Sequence, residues 1–80
     1  MAYYQREEYI RDLNSRFIIG IIRTLPNGDI EARDFSSRRI LGYYRKARNV
    51  TTDFYGRMLT QGNAVVGLIY NNHAAKKAKR

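Results

Sequence analysis

Turn-forming residues interrupt the chain at short intervals between positions 17 and 62, and this spacing leaves room only for short strands there. The clearest turn is the Leu-Pro-Asn-Gly at 25–28, where proline presets φ and glycine accepts the left-handed conformation. Further turns are expected at 36–38, at 45–49 and at 55–56. The pattern predicts a meander of about five short antiparallel strands over 17–61, at 17–24, 29–35, 39–44, 50–54 and 57–61.

The first of these strands is apolar on both faces, since residues 17–22 are one phenylalanine, four isoleucines and one glycine. A strand with one wet face alternates apolar and polar residues, so this strand should be buried on both sides. Two interpretations follow. Either the strand lies in the centre of the chain's own core, or it forms an interface between subunits, with Ile18 and Ile22 as interface residues.

The segments that flank the meander are predicted to be helical. Helical spacing places Tyr3, Ile10 and Leu13 on one face of a helix over 1–14, and Phe17, just beyond it, continues the same face. Asn63 suits an N-cap, and a second helix is predicted over 63–75, followed by a basic end at 76–80. A strand at 64–70 is the alternative, because valine, isoleucine and tyrosine favour strands. The 80 residues are therefore expected to form one α+β domain.

Positive charge is concentrated in the second half of the chain. The protein has 15 Lys and Arg against seven Asp and Glu, a net charge of +8. Residues 1–34 carry five basic and six acidic side chains, whereas residues 35–80 carry ten basic side chains and one acid, Asp53. Such asymmetry is typical of proteins that bind nucleic acid, an anionic membrane or an acidic protein.

A weak internal repeat accompanies the turns. Residues 34–41 and 53–59 both read as aspartate, aromatic, turn pair, arginine and apolar pair, and the turn at 27–30 is a looser third copy. The stretch 34–63 resembles the short hairpin repeats of small bacterial β-flower-like proteins. That resemblance covers under half of the chain and implies a meander of hairpins. It implies no catalytic residue and no activity.

Residues suited to catalysis or metal binding are sparse. His73 is the only histidine, the chain has no cysteine, and its acids are scattered apart from a group at positions 7, 8 and 12. Asp34 and Asp53 form an equivalent pair through the repeat, but aspartates at such positions usually bind the backbone of their own turn. The sequence therefore predicts no enzyme, no cofactor and no metal.

Arginine and tyrosine alternate along 38–48, a composition that suits nucleic acid, because arginine neutralises phosphate and tyrosine stacks on unpaired bases. The structural alternative for Tyr43 and Tyr44 is one core residue and one cross-strand contact. The basic tail could follow a phosphate backbone without reading its sequence. The predicted binding residues are Arg38, Arg39, Tyr43, Arg45, Lys46, Arg48, Lys76, Lys77, Lys79 and Arg80.

We therefore expect a non-catalytic, cytoplasmic module that binds nucleic acid with low specificity through a basic hairpin loop and the tail. The alternative is a homo-oligomeric module that docks an acidic protein through its basic surface. Attachment to an anionic membrane ranks last, because no clear apolar wedge lies beside the basic residues.

Overall fold

The meander predicted from the turn spacing is present, and it has six strands instead of five. The computed structural model describes residues 6–78. Each strand pairs antiparallel with the next, so the order across the sheet follows the order along the chain. The elements are β1 (Arg6–Arg11), β2 (Ile18–Thr24), β3 (Ile30–Asp34), β4 (Ile40–Arg45), β5 (Val50–Asp53), β6 (Met58–Gln61) and α1 (Val65–Ala78).

The N-terminal helix predicted over 1–14 is wrong, because residues 6–11 form strand β1; residues 1–5 lie outside the described part. Side chains in this strand alternate between the two faces of the sheet, and Glu7 lies opposite Arg23 of β2. The Arg23 Nε donates a 2.8 Å hydrogen bond to the Glu7 carboxylate. Leu13 and Phe17, assigned to the helix's apolar face, are 78% and 74% exposed in the turn that follows.

The C-terminal helix is confirmed, and it runs to Ala78 instead of 75. The strand alternative for 64–70 is wrong. Asn63 caps the helix start as predicted, because its Oδ1 accepts a 3.3 Å hydrogen bond from the Val65 N–H. The last turn is basic, which favours the negative end of the helix dipole.

Helix α1 packs on one face of the sheet, mainly across β2, β3 and β4. Two glycines on these strands let the helix approach. A Cβ at Gly20 would collide with the Ile69 side chain, and one at Gly42 would collide with the Thr52 carbonyl oxygen and Leu68. The buried cluster between the helix and the sheet contains Ile19, Ile22, Ala32, Val65 and Ile69.

Strand β2 is buried on both faces within this one chain. Ile22 lies beneath α1, and Ile21, on the opposite face, is also buried. The open face carries the paired charges Glu7–Arg23 and Glu31–Arg33, so it is close to neutral. Three large apolar residues are exposed, on a turn, on the edge strand and on the outer helix face respectively: Leu13, Leu59 and Val66.

Candidate nucleic-acid interface

Three turns of the same construction lie along one edge of the sheet. They join β1 to β2, β3 to β4 and β5 to β6, and each begins at an aspartate: Asp12, Asp34 and Asp53. In a meander, alternate turns share an edge and are two strands apart, which is about 10 Å at the usual strand spacing. The three aspartates therefore form a regular row.

Equivalent hydrogen bonds close each turn. The aspartate N–H donates to a carbonyl across the turn, from Asp12 to Phe17 at 2.8 Å, from Asp34 to Arg39 at 2.9 Å and from Asp53 to Arg57 at 3.0 Å. Each carboxylate also accepts backbone N–H groups from its own turn. The residue before the closing position has positive φ in all three turns: Arg16, Arg38 and Gly56.

The first copy of the repeat therefore begins at Asp12. The looser copy predicted at 27–30 shares the backbone closure, from the Leu25 N–H to the Asp29 carbonyl oxygen at 2.8 Å with positive φ at Gly28, but this turn has no aspartate at its first position and lies at the opposite edge. The sequence signal was available, because Asp-x-x-x-Arg occurs at 12–16 and again at 34–38. Each is followed by an apolar pair and a glycine, ending at Gly20 and Gly42. The helix predicted over 1–14 leaves no room for a turn that begins at Asp12, so this copy was not recognised. Backbone binding by Asp34 and Asp53 themselves is confirmed.

We call residues 12–17, 34–39 and 53–57, together with the helix segment 72–77, the turn edge. This surface carries six Lys and Arg and only three acids, which are the turn aspartates. The six basic residues are Arg16, Arg38, Arg39, Arg57, Lys76 and Lys77.

Asp34 is the most constrained group on the turn edge, with only 2% of its surface exposed. Its Oδ1 accepts hydrogen bonds from two helix side chains, the Lys76 Nζ at 2.5 Å and the Asn72 amide at 2.9 Å. Burial raises the pKa of Asp34, but the hydrogen bonds from Lys76, Ser37 and Ser36 outweigh burial and hold the pKa well below its ordinary value. This carboxylate fixes the end of α1 to the second turn.

The other two turn aspartates are also engaged. The Ser15 N–H and hydroxyl lower the pKa of Asp12, whose Oδ1 lies 3.5 Å from the His73 Nε2. The backbone N–H of Arg57 and then its side chain lower the pKa of Asp53, with the guanidinium Nε at 2.9 Å from Oδ2. The acids of the turn edge are thus committed to local partners, and its remaining basic side chains face solvent.

Two clefts lie between the successive turns, and the repeat relates them. The first cleft has a volume of about 360 Å³ and lies between the turns that begin at Asp12 and Asp34. Its sheet-side lining is Phe17, Ile18, Ile19, Asp34, Phe35 and Ser36. The second cleft, of about 350 Å³, is lined at the equivalent positions by Arg39, Ile40, Leu41, Asp53, Phe54 and Tyr55, with Arg57 added.

Only the first cleft is covered by the helix, whose His73, Lys76 and Lys77 contribute to its wall. The second cleft has no helix residue in its lining. Its aromatic wall is a pair in edge-to-face contact, with the rings of Phe54 and Tyr55 5.3 Å apart. These two side chains are 52% and 80% exposed.

The predicted binding residues divide between two opposite edges of the sheet. Four of them, Arg38, Arg39, Lys76 and Lys77, belong to the turn edge. Lys46 and Arg48 lie in the loop at the other end of β4, a distance of about 17 Å for a six-residue strand. Lys79 and Arg80 lie outside the described residues.

Two of the predicted loop residues already have partners in the chain. Arg45 forms an ion pair with Asp29 at 3.2 Å, and its guanidinium lies 4.4 Å from the centre of the Tyr43 ring. Tyr43 is thus covered by an arginine, while Tyr44 packs against the core beneath the helix. The position of Tyr44 agrees with the core tyrosine of the structural alternative, whereas the contact of Tyr43 with Arg45 lies within strand β4.

The residues suggested for an oligomer interface lie differently. Ile22 belongs to the core beneath α1, and Ile18 is half-buried in the lining of the first cleft. Sequence reasoning missed the exposed apolar residues of the turns, which include Phe17, Phe54 and Tyr55.

Within residues 6–78, no three His, Asp or Glu side chains form a group that could hold a metal ion. The helix of this described part is too short to cross a membrane. Comparison with protein-family models, with curated proteins and with solved structures found no match to the chain. The resemblance to β-flower-like proteins stays a prediction.

Proposed function

We propose that the protein is a non-catalytic module that binds nucleic acid with low sequence specificity through the turn edge. The observation that carries this proposal is the turn edge, where the row of three equivalent turns contributes four arginines and the end of α1 contributes two lysines. Of these six cations, all within residues 6–78, only Lys76 and Arg57 are paired with the turn aspartates. Regularly spaced positive charge suits a polymer with regularly spaced phosphates.

Exposed aromatic side chains on the same surface favour nucleic acid over other polyanions. Phe17, Phe54 and Tyr55 lie among the basic residues of the turn edge, and all three are exposed. Aromatic faces stack on unpaired bases without selecting their identity, which is the mode of binding expected of a low-specificity protein.

The loop at 45–49 supports the proposal less well than the turn edge does. The Arg45 side chain pairs with Asp29, lies over the Tyr43 ring and is only 39% exposed, against 78% for Arg57. The Lys46 N–H donates to the same Asp29 carboxylate at 3.0 Å. Only the side chains of Lys46 and Arg48 then remain for phosphate. The opposite edge therefore serves as a matched control surface.

The test is fluorescence anisotropy with single- and double-stranded oligonucleotides of random sequence, across a series of salt concentrations. Wild type should bind with a log–log salt slope of roughly −4.5 on duplex if about five phosphates are neutralised. The variant Arg39→Gln/Lys77→Gln should bind more weakly, and its slope on single strands should be smaller by about 1.4.

The matched control is Lys46→Gln/Arg48→Gln, which removes the same number of exposed charges from the opposite edge. Its affinity and slope should stay close to those of wild type, while its melting temperature checks that the fold is intact. Equal losses in the two variants would show that only net charge matters. Absence of binding by wild type at low salt would refute the proposal.

A further inference from the structure

We infer that the two clefts of the turn edge are base-binding subsites, each accepting one unpaired nucleobase of a single strand. This inference rests on the proposed function and deepens it, because it names single-stranded nucleic acid as the ligand. The repeat builds two cavities of nearly equal volume that are lined at equivalent positions.

The second cleft has the chemistry that a flat base and its phosphate require. Ile40 and Leu41 supply an apolar surface, and the exposed Phe54 and Tyr55 supply ring faces and edges. A base stacked on an exposed aromatic ring removes apolar surface from water and needs no specific hydrogen bond. The cleft would therefore accept any base.

Arg57 is placed to bind phosphate at the rim of this cleft. Its side chain is 78% exposed, and the Asp53 carboxylate engages its Nε at 2.9 Å. Within the described residues, the structure gives the two terminal nitrogens no partner, so they can donate to an anion. Asp53 thus orients the guanidinium toward a second ligand.

The first cleft also combines aromatic and basic side chains, but its basic side chains come from helix α1 instead of from a turn. Phe17 and Phe35 line it from the two turns, and His73 and Lys77 line it from α1. The Phe35 ring is covered by the Arg38 guanidinium, 4.6 Å from the ring centre, so Phe17, which is 74% exposed, is the aromatic side chain open to a base. Lys76 is occupied by Asp34, which leaves Lys77 as the exposed ammonium beside the cleft. Aromatic and cationic groups therefore occur together in both cavities.

Spacing connects the two subsites. The clefts are related by two strands of the sheet, which corresponds to about 10 Å. Arg39 ends the turn between the two clefts. Within residues 6–78, its guanidinium makes one long hydrogen bond, from a terminal nitrogen to the Asn72 side chain at 3.4 Å, so the guanidinium can bind the phosphate that joins two bases. One single-stranded nucleic acid lying along the turn edge would thus place bases in both clefts.

The experiment compares two fluorescein-labelled strands of twelve nucleotides, one of oligothymidylate and one with abasic sites throughout. Both have the same phosphates, so their affinities differ only through the bases. Oligothymidylate should bind wild type about tenfold or more tightly than the abasic strand, since stacking on aromatic residues contributes that much per base.

Phe54→Ala/Tyr55→Ala should remove the contribution of the second cleft to this preference, leave that of the first cleft, and leave affinity for the abasic strand unchanged. The control is Leu59→Ala, which removes an exposed apolar side chain that does not line the cleft. Equal, salt-dependent binding of both strands by wild type would overturn the base subsites while the proposed function stood. No binding of either strand would refute both.

Discussion

The first and second clefts have the same origin in the repeat but different environments. In the first, helix α1 lies over the cavity, and Lys76 and Asn72 bind the buried Asp34. In the second, the partners of the equivalent Asp53 among residues 6–78 belong to its own turn, and no residue of α1 lines the cavity. One copy of a turn therefore anchors the helix, while the other stays open.

The difference shows how a small protein can derive structure and function from the same motif. An aspartate that closes a turn has unused acceptor capacity, and a helix cation can take it up. Where a helix does so, the turn is fixed to the helix, and helix side chains form one wall of the cleft. Where none does, the aspartate orients a solvent-facing arginine, and the apolar residues beside it remain accessible to a ligand.

The largest expected effect is on the free energy of unfolding, when the same position of the repeat is substituted in a copy beneath the helix and in the copy that the helix does not cover. Gly42 lies beneath the helix, where a Cβ would collide with the Leu68 side chain of α1 as well as with the Thr52 carbonyl oxygen. Thr60 occupies the equivalent place on the exposed strand β6. Gly42→Ala should lower the free energy of unfolding by about 3 kcal/mol or more, and Thr60→Ala should change it by less than about 0.5 kcal/mol.

Urea denaturation of both variants measures these two values. Similar losses of stability at the two positions would contradict the claim that the helix packs over the repeat copies that end on β2 and β4 but not over the copy that ends on β6.

The next effect compares the two aspartates directly. Asp34→Ala should lower the free energy of unfolding by roughly 2–3 kcal/mol, because it leaves buried hydrogen-bond donors of its turn and of the helix without an acceptor. Asp53→Ala should cause a smaller loss, because its partners are exposed to water.

Amide hydrogen exchange adds a second readout to this pair. Only the Asp34 variant should lose protection in the last turns of α1. Loss of amide protection in α1 of the Asp53 variant would contradict the claim that Asp34, and not Asp53, holds the end of the helix.

The smallest effect is a pH dependence. Asp34 in the folded protein has a lowered pKa, so the unfolded chain takes up that proton first as pH falls below about 4. Its stabilisation is therefore complete above that pH and is lost progressively toward the lowered pKa. The difference in urea midpoint between wild type and Asp34→Asn should narrow from pH 5 to pH 2.5. A difference that stays constant over this range would show that the charge of Asp34 does not stabilise the fold.

Much of the fold could be predicted from the sequence. Turn signals located five strands to within about one residue, and Asn63 located the start of the helix. Strand β1 could not be separated from a helix, because its apolar residues are too few to distinguish a period of two from one of 3.6. Pairing with β2, including Glu7 with Arg23, decides the conformation, and that contact is not local.

The candidate site was predicted only in part, for a related reason. Which turns share an edge depends on the number of strands before them. Because β1 was not predicted, the turn that begins at Asp12 was not recognised as the first of the row. The exposed positions of Phe17, Phe54 and Tyr55 likewise follow from the sheet, since apolar residues beside a turn resemble core residues in the sequence.

The most direct test of the proposed interface is a titration of the ¹⁵N-labelled protein with oligothymidylate, followed by amide chemical shifts. The proposal predicts shifts concentrated in 12–17, 34–39 and 53–57 and in the end of α1, with little change in the loop 46–49. Shifts concentrated in 46–49, or spread evenly over both edges of the sheet, would contradict it.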